Sequence, residues 1–313
     1  YSMGKDDQFD NQVMDWVKVI RNKAKMGAHP PGEFLVLDHL LHELRLFKSA
    51  GEIKLMEKAA NISAQGHKAA MACCKPGIKE YEMEAELLYA FTRNGSRAPA
   101  YNSIVAAGEN ACILHYSAND AEVKEGDLVL IDAGCEYGYY ASDITRTFPA
   151  TGKFSPEQKA IYEIVLAAQD AAIEAVAPGV SWDEPHKASV KVIAQGLVKL
   201  GLLKGKLSQL IKAEAYRDFY MHRVGHWIGM DVHDVGDYKI DDHWRLLEPG
   251  MVTTIEPGIY ISPGNKKVEK RWRGIGVRIE DDVLVTKQGN KILSKGIPKT
   301  VEEIESFMSS ACK

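Results

Sequence analysis

The sequence predicts an α+β fold in which helices cover a pseudo-two-fold, antiparallel β-sheet. Two observations carry this. Helix signals and strand signals come in blocks, helices first and strands second, twice over along the 313 residues. Nowhere do they alternate as βαβ units. The two strand blocks also echo each other, since each provides one carboxylate from each of two strands, as a duplicated half-fold with a site at its seam would do.

Taken in order, residues 6–25 read as a helix, with Val13, Trp16, Val17 and Ile20 on one stripe. His29-Pro30-Pro31-Gly32 stops it, because proline restrains both itself and the residue before it. Residues 34–38 read as a short extended piece, and 40–47 lead into Ser49-Ala-Gly-Glu52, a capping box opening a helix to about Cys74. A domain boundary is expected near Arg45, giving segments 1–45 and 46–313. Ser155-Pro156-Glu157-Gln158 joins an N-cap, an N1 proline and a reciprocal glutamine, and Ser181-Trp-Asp-Glu184 reads as a further capping box. Strands are expected at about 101–107, 126–134, 139–149, 221–226, 251–261 and 275–286.

Composition narrows the function classes. The chain is 45% hydrophobic and 26% charged, ordinary for a globular protein. A net charge of −4 leaves no global basic field for nucleic acid, and Lys266-Lys-Val-Glu-Lys-Arg271 reads as a solvated loop. Cys73, Cys74, Cys112, Cys135 and Cys312 form an odd set without CxxC spacing, and no apolar leader precedes them, which favours a reducing cytoplasm. No run approaches the roughly 18 apolar residues of a membrane span.

Five polar residues sit where apolar runs have no use for them. Asp132 closes Asp127-Leu-Val-Leu-Ile, Glu256 closes Met251-Val-Thr-Thr-Ile, and Glu280 follows Gly276-Val-Arg-Ile. Asp143 opens the alternating Asp143-Ile-Thr-Arg-Thr-Phe, and His226 lies in His222-Arg-Val-Gly-His226-Trp-Ile-Gly. Burying a carboxylate is expensive unless a cation or hydrogen bonds compensate it. Four carboxylates and a neutral imidazole carry four negative charges, which two divalent cations balance. With Tyr137-Gly138 at the centre of a hairpin, Asp132 and Asp143 would face each other directly across two strands. Val252, Thr254 and Glu256 share one face under period two, as do Arg278 and Glu280. Oxygen-rich ligation with one imidazole suits Mn²⁺, with Co²⁺, Zn²⁺ or Fe²⁺ as alternatives, and no thiolates are spaced for structural zinc.

The runs Ile113-Leu-His115-Tyr, Leu130-Ile-Asp132-Ala-Gly-Cys-Glu, Ser142-Asp143-Ile-Thr-Arg-Thr-Phe, Gly225-His226-Trp-Ile-Gly-Met-Asp-Val-His233-Asp, Thr254-Ile-Glu256-Pro-Gly-Ile-Tyr260 and Gly274-Ile-Gly-Val-Arg278-Ile-Glu280-Asp-Asp resemble the bacterial Xaa-Pro aminopeptidase branch of the pita-bread metallopeptidases. The resemblance implies the pita-bread fold over 46–313 and a dinuclear Mn²⁺ centre. Asp132 would serve one ion and His226 the other, with Asp143, Glu256 and Glu280 shared. It further implies substrate-handling roles for His115, His222, His233, Tyr260, Arg278 and Tyr101. Family members carry a sizeable N-terminal domain, of which 1–45 would be the last portion plus a linker; the opening Tyr1-Ser-Met-Gly is likewise read as lying inside a longer protein. The expected activity is removal of the first residue from peptides with proline second, through a hydroxide held between the two cations. Glu256 is the expected proton acceptor and donor, His233 a donor to the oxyanion and His115 a contact to the scissile bond. Alternatives are a prolidase acting on Xaa-Pro dipeptides and a non-catalytic pita-bread peptide-binding module. Peptides are the expected partners, with no nucleic acid, no membrane and a homo-oligomer (dimer or tetramer) on family grounds.

Overall fold

The computed structural model describes residues 3–311, so Cys312 lies outside the described residues. The chain divides into two compact units, Tyr1–Arg45 and Leu46–Lys313. In the first, α1 (Asp7–Asn22) is capped by Asp6, whose carboxylate accepts the Phe9 amide at 3.0 Å. Of the predicted stripe, Val17 is buried while Trp16 is 52% exposed. Residues 34–37 are not in a strand, and Asp38, expected to end an extended piece, instead begins α2 (Asp38–Leu46).

In the second unit, α3 (Ala50–Cys73) opens on the predicted capping box: the Ser49 amide donates to Glu52 Oε2 at 2.7 Å, and the Glu52 amide donates back to Ser49 Oγ. The next helix, α4 (Glu80–Arg93), has no Ser, Thr, Asp or Asn cap to announce it and escapes the sequence reading. Ser155 and Gln158 cap α5 (Pro156–Glu174) reciprocally, as expected. The predicted box at Ser181 does not form. Ser181 bridges to Leu246, α6 (Glu184–Lys199) starts without a side-chain cap, and Asp183 is engaged instead by Arg223 and Lys187. Two further helices, α7 (Leu207–Lys212) and α8 (Val301–Ala311), complete the set.

The first strand block holds β1 (Ala98–Pro99), β2 (Ile104–Ala107), β3 (Leu128–Asp132), β4 (Cys135–Tyr137), β5 (Tyr140–Ala141) and β6 (Thr145–Pro149). The second holds β7 (Lys239–Ile240), β8 (His243–Trp244), β9 (Val252–Ile255), β10 (Gly258–Ile261), β11 (Ile275–Arg278), β12 (Asp281–Thr286) and β13 (Gly289–Ile292). Each block contains a three-stranded antiparallel sheet, in the orders β2-β3-β6 and β13-β12-β9. The expected strand at 221–226 is an irregular segment along β9. It is held by the Glu256 amide on Val224 O at 2.7 Å and the Thr254 amide on His226 O at 2.9 Å. That close approach requires Gly225, where a Cβ would lie 1.9 Å from Thr254 O; Gly134 plays the same part in the first block, 1.7 Å from Ser142 O. One core cluster joins the helix faces (Ile62, Leu87, Ile161, Val165) to the strands (Val129, Ile131, Val277).

His67, on α3, is fully buried in this core, its Nε2 2.9 Å from Ala133 O. Burial disfavours the imidazolium and pushes the ring's pKa down to about 4. The unfolded chain, with an ordinary value of 6.5, therefore takes up a proton first as pH falls. Stability from the neutral ring is complete above about pH 6.5 and is lost between there and about pH 4, by roughly 3 kcal/mol. Urea midpoints of metal-stripped protein across this range, compared with His67→Gln, check the sign: the wild type should lose more stability on acidification than the variant.

Candidate metal centre

Asp132 ends β3, the central strand of the first sheet, and its partner across the ladder is Thr145 rather than Asp143. The predicted turn is displaced by one residue. Gly138 and Tyr139 hold its two centres at φ 59° and 69°, and Tyr137 faces Tyr140. A two-residue turn of this hand requires positive φ at both centres. A displaced turn shifts the register by two positions, which preserves the face. Asp143 thus stays beside Asp132 on a diagonal. The Tyr101 hydroxyl reaches both, 2.6 Å from Asp132 Oδ1 and 2.5 Å from Asp143 Oδ1. One hydroxyl proton cannot serve two carboxylates at once.

The second block delivers the other three. Thr254 Oγ1 accepts the His226 amide at 3.1 Å and donates to Glu256 Oε1 at 3.4 Å. Glu280, between β11 and β12, accepts the Thr145 hydroxyl on Oε2 at 2.6 Å, and its amide donates to Thr145 O at 3.0 Å, stitching the two blocks together. His226 Nε2 lies 3.4 Å from Asp143 Oδ2 and 3.6 Å from Glu256 Oε1. Asp143, His226 and Glu280 each offer a donor atom within 4.8 Å of the others'. All five side chains line one cavity of about 270 Å³ with His115, His222, His233 and Arg278. Tyr101 borders the adjoining cavity, which shares Asp132, Asp143, His115 and His233. Tyr260 stands behind the wall, its hydroxyl 2.9 Å from His222 Nε2 and 3.0 Å from Arg278 Nη1.

Burial dominates the electrostatics of the cluster. Burial, with Asp143 adding repulsion, pushes the Glu280 carboxyl far above its usual range. Burial raises Glu256 to about 7 against the pull of His226, and raises Asp132 against Arg278. Asp143 goes the other way: burial would raise it, but its contact with His226 wins. Burial disfavours the charged His226 ring, yet Asp143 and Glu256 outweigh it and lift the value to about 9. Arg278 contributes one charge, and its donors are committed to Asp132 Oδ2 at 2.6 Å, Tyr260 and Thr145. Burial favours the protonated form of Glu280 and Glu256, a relief that divalent cations supply equally. His226 Nδ1 sits 3.0 Å from Trp227 O; an Nδ1–H donated there leaves the Nε2 lone pair aimed at the carboxylates, the tautomer a metal ligand needs. The donor set fits hard divalent cations.

His222 and His233 are held neutral, primarily by burial, His222 near 3. His222 Nδ1 lies 2.8 Å from Arg223 O, so Arg278, Tyr260 and His222 form one locked chain of donors. His233 packs edge-on to His226 with ring centroids 4.2 Å apart. Several residues that support the site escaped the sequence reading. Thr145 and Thr254 are legible only as hydroxyls inside buried strands. Asp282, buried to 1%, accepts the Asp143 amide on Oδ2 at 3.2 Å. Lys48 and Asp234 pair at 3.1 Å, both buried, next to His233.

Residues 54–287 match the family described as "Metallopeptidase family M24". A Haemophilus influenzae protein named Xaa-Pro aminopeptidase is 54% identical over 270 residues, 86% of this chain and 62% of its own length, so this chain spans under two thirds of that relative. The structure of Pseudomonas aeruginosa aminopeptidase PepP is 62% identical with a TM-score of 0.96, over 100% of this chain and 71% of that one. A zinc-substituted Escherichia coli aminopeptidase P in complex with product is 46% identical with a TM-score of 0.95, over 100% and 71%.

Proposed function

This chain belongs to metallopeptidase family M24, and on that basis we propose that it is a metal-dependent aminopeptidase releasing the first residue of peptides whose second residue is proline. The observation that carries the reading is the convergence of Asp132, Asp143, His226, Glu256 and Glu280 on a cavity also lined by His115, His222 and His233. These five would hold two divalent ions, Mn²⁺ by donor preference, with residues 46–313 as the catalytic part and 1–45 as the end of a preceding domain. Bound there, the ions supply Lewis-acid polarisation and lower the pKa of water.

The chain's own groups do the rest. Glu256, beside His226 and His222 in the cavity, takes the proton of the attacking water and returns it to the departing prolyl nitrogen. That nitrogen carries no hydrogen in the peptide, so it leaves as an amine only after gaining one. His222, its ring nitrogens already engaged, offers a ring face against which proline packs, backed by Tyr260 and Arg278. His233, neutral beside His226, donates to the developing oxyanion, and His115 at the mouth contacts the scissile peptide. Tyr101 fixes the spacing of Asp132 and Asp143. Cys73, Cys112 and Cys135 are unbridged thiols, in keeping with a reducing cytoplasm as the working place; no helix among the described residues is long and apolar enough to cross a membrane.

Release of the first amino acid from Xaa-Pro, Xaa-Pro-Xaa and longer peptides, with and without added Mn²⁺, tests the reading. Mn²⁺-dependent cleavage of tripeptides and longer chains is expected. Cleavage of the dipeptide alone makes the protein a prolidase, and metal-loaded protein that binds but never cleaves makes it a binding module.

A further inference from the structure

We infer that Glu80 is the positioning residue that holds His115 at the cavity. Glu80 opens α4 and is fully buried, and among the described residues no lysine or arginine is a hydrogen-bond partner of it. Four neutral donors surround its carboxylate instead. Oε1 accepts the Ala107 amide at 2.7 Å and Asn110 Nδ2 at 3.0 Å; Oε2 accepts the Tyr116 hydroxyl at 2.7 Å and the Ala121 amide at 2.9 Å. The Glu80 amide in turn donates to Ala121 O at 3.0 Å. These donors lie at the start of the connection that leaves β2 and along it, on either side of His115.

His115 itself is exposed at the mouth, and among the described residues its side chain makes no hydrogen bond. Nothing attached to the ring sets its place, so the backbone of the loop does, and the loop is closed on Glu80. A carboxylate held in a dry interior by hydrogen bonds alone is expensive and leaves several donors orphaned when removed. A helix cap would use one or two of these bonds. Holding the stretch from Ala107 to Ala121 on either side of His115 uses all four. Any effect on turnover rests on the peptidase reading of His115 above, whereas the clamp itself does not.

The test uses the full chain carrying ¹³C-labelled histidine, with His115→Gln to assign the His115 resonance. In Glu80→Gln that resonance should shift or broaden while those of His222 and His233 stay in place. With Mn²⁺ loaded, kcat/KM should fall by about 10–100-fold, the scale of a misplaced contact, mainly through kcat. In the His115→Ala background the same substitution should change kcat/KM by less than about 2-fold, since the group it positions is gone. If Glu80→Gln fails to fold, Tyr116→Phe removes one of the four donors and should show the same pattern more weakly. An unchanged His115 resonance, or a full loss of activity that persists in the His115→Ala background, overturns the inference. A wild type with no peptidase activity sinks the proposed function instead, and the resonance comparison alone then decides the role of Glu80.

Discussion

Replacing Glu256 by glutamine should lower kcat/KM by about 10²–10⁴-fold, the range for losing a positioned acid–base group. The side chains are isosteric, so packing is conserved and the fold should survive. What changes is the capacity to carry a proton. Glu256 is pushed to about 7, first by burial, with Asp143 and Asp132 adding to it and His226 and Arg278 opposing. A carboxylate can take up a proton and return it, which glutamine cannot do. Its Oε2 is 3.8 Å from His222 Nδ1 and its Oε1 3.6 Å from His226 Nε2, at the seam between the two strand blocks. Metal content should be measured alongside, because Glu256 is also a proposed ligand. Activity should fall much further than metal content does. A variant keeping more than about a tenth of wild-type kcat/KM would show that the proton passes elsewhere.

The second large effect is on stability. Arg146 is 2% exposed and ties the two strand blocks from within. Its Nη2 donates to Asp281 Oδ1 at 2.7 Å, and its Nη1 donates to Glu280 O at 2.6 Å and Thr145 O at 2.9 Å. Asp281 is buried as deeply, with Ser294, Gln169 and Lys299 as further partners. Burial alone would raise its carboxyl, and Arg146 with Lys299 holds it below the usual value. Arg146→Met keeps most of the volume but leaves a buried carboxylate short of its main counter-charge and takes the Arg146 donor from the Glu280 carbonyl, while Thr145 O keeps the Glu280 amide. Breaking a buried pair from one side costs about 3–5 kcal/mol, a large part of a domain's stability. Urea unfolding measures it. Adding Asp281→Leu to the variant should recover part of the loss, since no isolated charge then remains. A single-variant loss below about 1 kcal/mol would mean that the strut carries little.

The legible and illegible parts of this chain separate on physical grounds. Ser49 and Ser155 announced their helices because a capping box is self-contained: cap, partner and spacing all lie within four residues. Ser181 has the same spacing, but Leu246 and Arg223 claim the segment from a distance, and no local pattern reports that. The α4 helix opens on Lys79 and Glu80, and Glu80 faces the core rather than capping, so it left no start signal. Asp132 and Asp143 were legible as neighbours although the turn between them was centred one residue early, because the error preserved parity. The five converging side chains showed themselves as polar residues ending apolar runs, which is a sequence signal. The groups behind them, Thr145, Thr254, Asp282 and Glu80, carry no such mark. Their importance lies in contacts across up to 139 positions of chain, as between Asp143 and Asp282.

Metal analysis joined to anomalous diffraction reaches furthest into this reading. After Mn²⁺ loading and removal of free metal, the protein should carry two ions per chain. Both anomalous peaks should fall among Asp132, Asp143, His226, Glu256 and Glu280, with Asp143, Glu256 and Glu280 near both. One ion or none per chain, or a peak bounded by other residues, would contradict it.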